Sequence, residues 1–342
     1  MSTRTTTSSG GGSHRASKGL PGTVDTPSVR KREMALALRK NSNRGTVGLD
    51  LDGAYLAAVQ ASPDGVTRAA STELAPGVIS DGEVTDVTAL TEALRDFFKA
   101  NGLPKRVRLG ISNQQIVVRH LDIPKIDDEK ERAAAVRFQA AEAIAMPLDE
   151  VVLDHQVVGE AVSPEGSARL RVVVVAARES MIARIVEAVR AAGLRPEGID
   201  LNAFALVRTL AVPSDSTETA RVFCHLGGVT NLAIAVGTTC LFTRPLSTQW
   251  DSDDDNVASA LAEEIRLSID FYMAQPEARW VGEIVLSGPG SRRAGLADEL
   301  SGLIEVPVTV ADPLGRLQAG KLPADEDPYR HTVATGLALG AA

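Results

Sequence analysis

The sequence predicts a two-lobed α/β protein. From Thr46 onward, short apolar runs of strand character alternate with amphipathic stretches of helical period, which argues for α/β layers rather than a helical bundle. The stretch Val47-Gly-Leu-Asp-Leu-Asp-Gly53 places a glycine turn between two apolar strands, and Phe223-Cys-His-Leu-Gly-Gly228 repeats that plan in the second half. A third turn, Leu286-Ser-Gly-Pro-Gly290, follows another apolar strand. Such a repeat fits a duplicated architecture with a ligand between the halves, because glycine lets backbone N–H groups approach an anion with no Cβ in the way.

Residues 1–33 are rich in Ser, Thr, Gly and Arg and hold no aromatic side chain. They cannot bury the apolar surface that ordering requires. The pattern changes at Met34-Ala-Leu-Ala-Leu38, so Met34 is the expected true start, and residues 1–44 read as a disordered basic tail. Thr46–Leu51 and Ala54–Gln60 are expected strands around a turn at Asp52-Gly53. Residues 86–100 carry Leu90, Leu94, Phe97 and Phe98 on one helical face, with Gly102 just past the end. Strands at 107–111 and 115–121 precede a helix over 127–145, opened by Asp128 and Glu131 at capping-box spacing and stopped by Pro147. Strands follow at 151–158 and 170–177, then a helix over 180–192, capped by Ser180 and closed by Gly193, and a helix over 202–210. After a polar linker at 213–219, strands are expected within 221–236 and at 239–243, a long helix over 257–273, and a strand at 282–286. A helix over 294–304, a short strand at 308–310 and a helix over 331–340 complete the chain.

Composition bounds the function. The 342 residues suit about two domains of ordinary globular make-up. Two cysteines, Cys224 and Cys240, exclude a disulfide framework and point to a reducing compartment. The apolar run Val172–Ala177 falls far short of the roughly 20 residues that span a bilayer, so a cytoplasmic location without a membrane segment is expected. The first 44 residues carry +7, so residues 45–342 carry −15 out of a total of −8. An acidic body repels phosphates and argues against a nucleic-acid partner.

Several motifs lead nowhere. Gly315-Arg-Leu-Gln-Ala-Gly-Lys321 has P-loop spacing, but Leu322 stands where magnesium needs a hydroxyl. Asp251-Ser-Asp-Asp-Asp255 imitates a calcium loop but lacks its glycine and its bidentate acid, and reads as an acidic cap on the helix that follows. The five histidines show no ligand spacing, and zinc is not expected. No nucleophile elbow occurs, and both cysteines read as core residues. No catalytic residue is assigned.

The glycine turns resemble those of the actin-like superfamily, which includes sugar kinases, heat-shock chaperones and FtsA. More closely, the chain is similar to the PilM family of type IV pilus assembly. The most specific stretch is Arg119-His-Leu-Asp-Ile-Pro-Lys125, with Val136-Arg-Phe-Gln-Ala140, Pro147-Leu-Asp-Glu-Val151 and Asp154-His-Gln156 after it. Ala176-Ala-Arg178, Phe242-Thr-Arg244, Ser268-Ile-Asp-Phe-Tyr272 and Asp312-Pro-Leu314 extend the match. The resemblance implies a bilobal actin-like, RNase H-like duplicated α/β fold. Its first lobe would comprise 45–118 and 186–212, with an inserted α+β subdomain at 119–185. The second lobe would comprise 220–342, with 246–284 as its smaller subdomain. It implies a scaffold at the inner face of the plasma membrane that binds the cytoplasmic N-terminal tail of a PilN-like bitopic protein and other platform proteins; self-association stays open. It also implies ATP with Mg2+ as cofactors. The residues implied for the nucleotide are Gly48, Asp50, Asp52, Gly53, His225, Gly227, Gly228, Thr230, Asn231, Glu264, Gly288 and Gly290, with Asp50 on the metal.

The sequence departs from that pattern at the phosphate turns. Asp52 stands for the last glycine of the first turn, and Ala57 for a lysine five positions further on. His225 replaces the acid that opens the second turn, and Pro289 the middle glycine of the adenosine turn. A carboxylate 4 Å from a phosphate oxygen costs about 4 kcal/mol at an effective dielectric of 20. His225 takes away an acid that would help order magnesium, and Pro289 removes a backbone donor. Weak or lost ATP binding and no useful hydrolysis are therefore expected. Two alternatives stay open at this level: an active ATPase in which Asp52 takes the metal role and His225 contacts a phosphate, and an FtsA-like division tether, although the uncharged end Gly336–Ala342 offers no amphipathic anchor.

Overall fold

The computed structural model describes residues 46–62, 65–212, 218–248, 250, 256–275, 278–312 and 326–340. The described residues all lie in one compact unit, Met34–Ala342. The tail, the acidic loop 251–255 and the loop 315–321 lie outside the described residues.

In chain order the elements are β1 (Val47–Leu51), β2 (Tyr55–Ser62), β3 (Gly65–Glu73), a small hairpin β4 (Ile79–Ser80) and β5 (Glu83–Val84), α1 (Val87–Asn101), β6 (Arg106–Ile111), β7 (Val117–Pro124), α2 (Glu129–Ala143), β8 (Val151–Val162), β9 (Ala168–Arg178), α3 (Glu179–Ala191), β10 (Arg195–Leu201) and α4 (Asn202–Leu210). The second half comprises β11 (Ala220–His225), β12 (Asn231–Val236), β13 (Thr239–Pro245), α5 (Val257–Met273), β14 (Val281–Ser287), α6 (Leu296–Ile304), β15 (Val308–Val310) and α7 (Thr332–Leu339).

Two five-stranded sheets share one plan. The first runs β10-β6-β1-β2-β3 and the second β13-β12-β11-β14-β15. In each, the opening strand pairs antiparallel with the next and parallel with the first strand after a crossover helix. The duplication read from the glycine turns is thus a duplication of whole sheets. α1 shows why the local pattern folds: Asp86 accepts the N–H of Ala89, Gly102 closes the helix at φ 57°, and Leu90, Leu94, Phe97 and Phe98 enter the first core.

β1 alternates strictly. Val47, Leu49 and Leu51 face the core shared with α1 and α3, while Gly48 lies under α7, where a Cβ would sit 2.0 Å from the Ala334 carbonyl. Ala57, directly opposite Asp50 in the ladder, is buried against Ala334 and Ala338, so the position implied for a lysine is a core position. β11 follows the same rule, with Val222 and Cys224 in the second core and Phe223 against α4. Burial pushes the Cys224 thiol up to about 12, as suits a core residue.

The inserted unit is the antiparallel sheet β7-β9-β8 with α2. β9 explains the unbroken run Val172–Ala177. Its even positions pack under α2, and Val173, Val175 and Ala177 join the first-lobe core.

Four details of capping and domain organisation differ from the sequence expectation. The inserted unit ends with β9, because α3 buries Met181, Ile182 and Ile185 in the first-lobe core; a boundary at 185 cuts that helix. Ser180 does not cap α3: the N-cap is Arg178, without a side-chain bond, and the Glu179 N–H donates to the Glu150 carbonyl instead. α7 belongs with the first sheet and α4 rather than with the second lobe. A Cβ on Gly336 would lie 1.9 Å from the Ala205 carbonyl, so this glycine permits the close α4–α7 crossing. Within 246–284, α5 shares one buried core with β11, β12 and β14, and its described residues form no separate layer. Among the described residues no helix is long and apolar enough to cross a membrane.

Candidate functional site

The opening strands β1 and β11 end side by side, and this meeting creates the site. Asp50 and Asp52 extend the α7-facing side of β1, and His225 ends β11. All three are buried, with 0%, 4% and 1% of their surface exposed. One ligand atom from each lies within 4.8 Å of the others. Sequence spacing offered no partner set for any histidine; the fold supplies one for His225.

Each member has its own orienting partner. Asp50 Oδ1 accepts from Asn202 Nδ2 at 3.3 Å, and Oδ2 has no partner among the described residues. Asp52 Oδ1 accepts the Gly228 N–H at 2.6 Å, which ties the first turn to the second. His225 Nδ1 meets Ser287 Oγ at 3.0 Å, and Nε2 has no partner among the described residues.

The charge states follow from burial. Desolvation, and then the neighbouring Asp52 charge, push Asp50 well above the usual carboxylate range. Desolvation pushes Asp52 up to about 7, against the opposing pull of the Gly228 and Ala54 N–H groups and of Arg330. Desolvation pushes His225 down to about 4, leaving it neutral at pH 7.

Asp52 accounts for both glycines of the second turn. A Cβ on Gly227 would lie 2.2 Å from Asp52 Oδ2, and one on Gly228 would lie 2.5 Å from Oδ1. The third turn is likewise engaged within the protein. The Gly290 N–H donates to the Leu226 carbonyl at 3.1 Å, the Leu226 N–H donates to the Ser287 carbonyl, and Gly288, at φ 83°, packs on Leu226. The Trp250 indole lies where a Cβ on Gly290 would point, 2.3 Å away, and its Nε1 donates to the Gly227 carbonyl at 2.9 Å. A small cavity lined by Leu51, Asp52, Ser112, Asn202 and Val229 reaches the cluster and has room for about one water-sized group.

The remaining residues implied for the nucleotide hold structure together. Gly53 makes the β1–β2 turn at φ 107°. Thr230 Oγ1 donates to the Thr248 carbonyl. Asn231 accepts from Ser112 Oγ, a bond from the second lobe to the first, and donates to the Val229 carbonyl. The Glu264 carboxylate accepts the N–H groups of Ser247 and Thr248 at 3.0 and 3.1 Å, so it ties down the loop before α5. Sequence reasoning missed Asn202, Ser287 and Trp250. Ser287 opens the third glycine turn, and that was the available signal; the other two carry none.

Two sheets of one order, bridged by α4 and α7 and meeting at glycine turns, define an actin-like two-lobed protein. The family model described as type IV pilus assembly protein PilM matches residues 54–247, and the chain belongs to that family. Among solved structures, the chain is similar to the PilM-PilN type IV pilus biogenesis complex, at 24% identity and a TM-score of 0.75 over 87% of this chain and 98% of that one. It also matches the ethanolamine utilization protein EutJ from Carboxydothermus hydrogenoformans at 14% identity, with a TM-score of 0.46 over 91% of this chain and 93% of that one. MreB5 of Spiroplasma citri bound to ADP matches at 11% identity, with a TM-score of 0.46 over 86% and 95%.

Proposed function

We propose that this protein is a non-catalytic scaffold of the type IV pilus platform that binds the cytoplasmic tail of a PilN-like membrane protein without needing ATP. Family membership and the likeness to a PilM-PilN complex support the partner. The observation that carries the nucleotide part is Asp52. Its carboxylate sits on the Gly228 N–H, a donor that a phosphate-binding turn would present to its ligand. In the third turn the Gly290 N–H is taken by the Leu226 carbonyl, and the Trp250 indole packs against Gly290. A phosphate would have to displace Asp52 and then sit beside it, at about 4 kcal/mol if both are charged 4 Å apart at an effective dielectric of 20. The scaffold would lie at the cytoplasmic face of the inner membrane, held there by its partner.

One titration tests both parts. A fluorescent peptide of the cognate partner's cytoplasmic tail is titrated with the full chain, with and without 5 mM Mg-ATP, and Mg-ATP alone is titrated by calorimetry. The expected result is saturable micromolar peptide binding, unchanged by ATP, and no heat from ATP. Peptide binding that requires ATP would overturn the nucleotide part. Absence of peptide binding under both conditions would overturn the scaffold.

A further inference from the structure

We propose that Asp50, Asp52 and His225 form a divalent-cation site that fills without nucleotide and takes Zn2+ or Mn2+ in preference to Mg2+. This goes beyond the scaffold reading and does not depend on it. Four observations carry it.

The first is the donor set. Two carboxylates and an imidazole, with ligand atoms within 4.8 Å of one another, need to close only modestly around an ion that holds its ligands at roughly 2.0–2.2 Å. An imidazole nitrogen suits Zn2+ or Mn2+, whereas Mg2+ favours oxygen and keeps its waters.

The second is the pair of unpartnered atoms. Asp50 Oδ2 and His225 Nε2 are buried and make no hydrogen bond among the described residues. The His225 Cδ2 beside Nε2 and Asp52 Oδ2 both lie within 3.2 Å of the point where a Gly227 Cβ would sit, so the Cδ2–Nε2 edge of the ring lies on the side of Asp52. An unsatisfied buried polar atom is costly, and an ion would satisfy both.

The third is the outer shell. Asn202 holds Asp50, the Gly228 N–H holds Asp52, and Ser287 Oγ meets His225 Nδ1. A proton on Nδ1, donated to Ser287, leaves the Nε2 lone pair free for a metal. Outer partners of this kind fix the orientation of metal ligands in general.

The fourth is charge and room. Two buried carboxylates without a cation between them are expensive, and Arg330, which acts on Asp52, is itself paired with Glu73. The cavity beside Asp52 has room for about one water-sized group, enough for an aqua ligand on that side of an ion held by the three side chains.

The test uses the full chain, freed of metal by chelation and then titrated calorimetrically with Zn2+ and, separately, Mn2+, with no nucleotide present. One ion per chain at a Kd below 10 μM is expected. His225→Ala and Asp50→Asn, checked for folding by circular dichroism, should each weaken binding at least tenfold. Mg2+ should bind at least a hundredfold more weakly than Zn2+. Because a variant can misfold, crystals of the unaltered chain soaked in Zn2+ supply a second readout: an anomalous peak within 2.3 Å of all three side chains supports the site. A peak elsewhere, no saturation at 100 μM Zn2+, or affinity untouched in both folded variants would overturn it, the last meaning that protons alone neutralise the pair. Peptide binding to the partner's tail is read separately, so failure here leaves the scaffold reading standing.

Discussion

Asp52→Asn removes one of the two buried carboxyl groups, and with it the charge that helps to raise Asp50. Asparagine keeps the shape and can still accept the Gly228 N–H, but it neither ionises nor takes up a proton near neutrality. In the fold Asp52 holds its proton up to about pH 7, against 3.8 ordinarily. A folded-state value above the unfolded one means that the native chain binds the extra proton. The stability this contributes is fully present below pH 3.8, falls as pH rises, and is gone once pH passes through 7. At 1.36 kcal/mol per pH unit, the contribution lost between pH 4.5 and pH 8 is about 3 kcal/mol. His225, held down to about 4, works in the opposite sense: its contribution is present above its unfolded value near 6.5 and is lost as pH falls toward 4. The raw pH profile of the protein therefore mixes opposed slopes, and the informative quantity is the difference between protein and variant. Urea unfolding of both chains at half-unit steps from pH 4.5 to 8.5, in EDTA, gives that difference directly. The unaltered chain should lose about 3 kcal/mol relative to Asp52→Asn between pH 4.5 and pH 8, with the difference level above pH 8. Parallel profiles would mean that Asp52 is ionised throughout and that burial does not govern its charge.

Two further predictions concern packing. Gly336→Ala forces a methyl group into the Ala205 carbonyl and should cost about 3 kcal/mol or more in urea unfolding, and a loss below about 1 kcal/mol would count against the close α4–α7 crossing. Gly227→Ala should be destabilising alone but mild in an Asp52→Gly background, because the nearest obstacle to the new Cβ is Asp52 Oδ2; a double-mutant cycle should give a coupling of about 2 kcal/mol, and strict additivity would refute the contact.

The boundaries of α5 were legible from period and punctuation, because the helix has one buried stripe and ends where the pattern ends; α4 is buried on most sides, between the second sheet and α7. β3 was not: it lies at a sheet edge, and Thr67 and Arg68 face solvent within it, so the apolar run is broken. β10 was hidden by Pro196 and Gly198, which flank the irregularity in its pairing with β6. The site divides along the same line. Asp50, Asp52 and His225 stood out locally, since each replaces or retains a residue in a glycine turn. What could not be read was the bond from Asp52 to Gly228, which closes across 176 positions of the chain. Only topology makes those residues neighbours, by ending β1 and β11 together. That bond also changes the meaning of the second turn. Gly227 and Gly228, which in sequence suggest space for a phosphate, are the positions where any side chain would strike the Asp52 carboxylate. The glycines and the acid are one feature: the turn holds a carboxyl group that the chain itself provides.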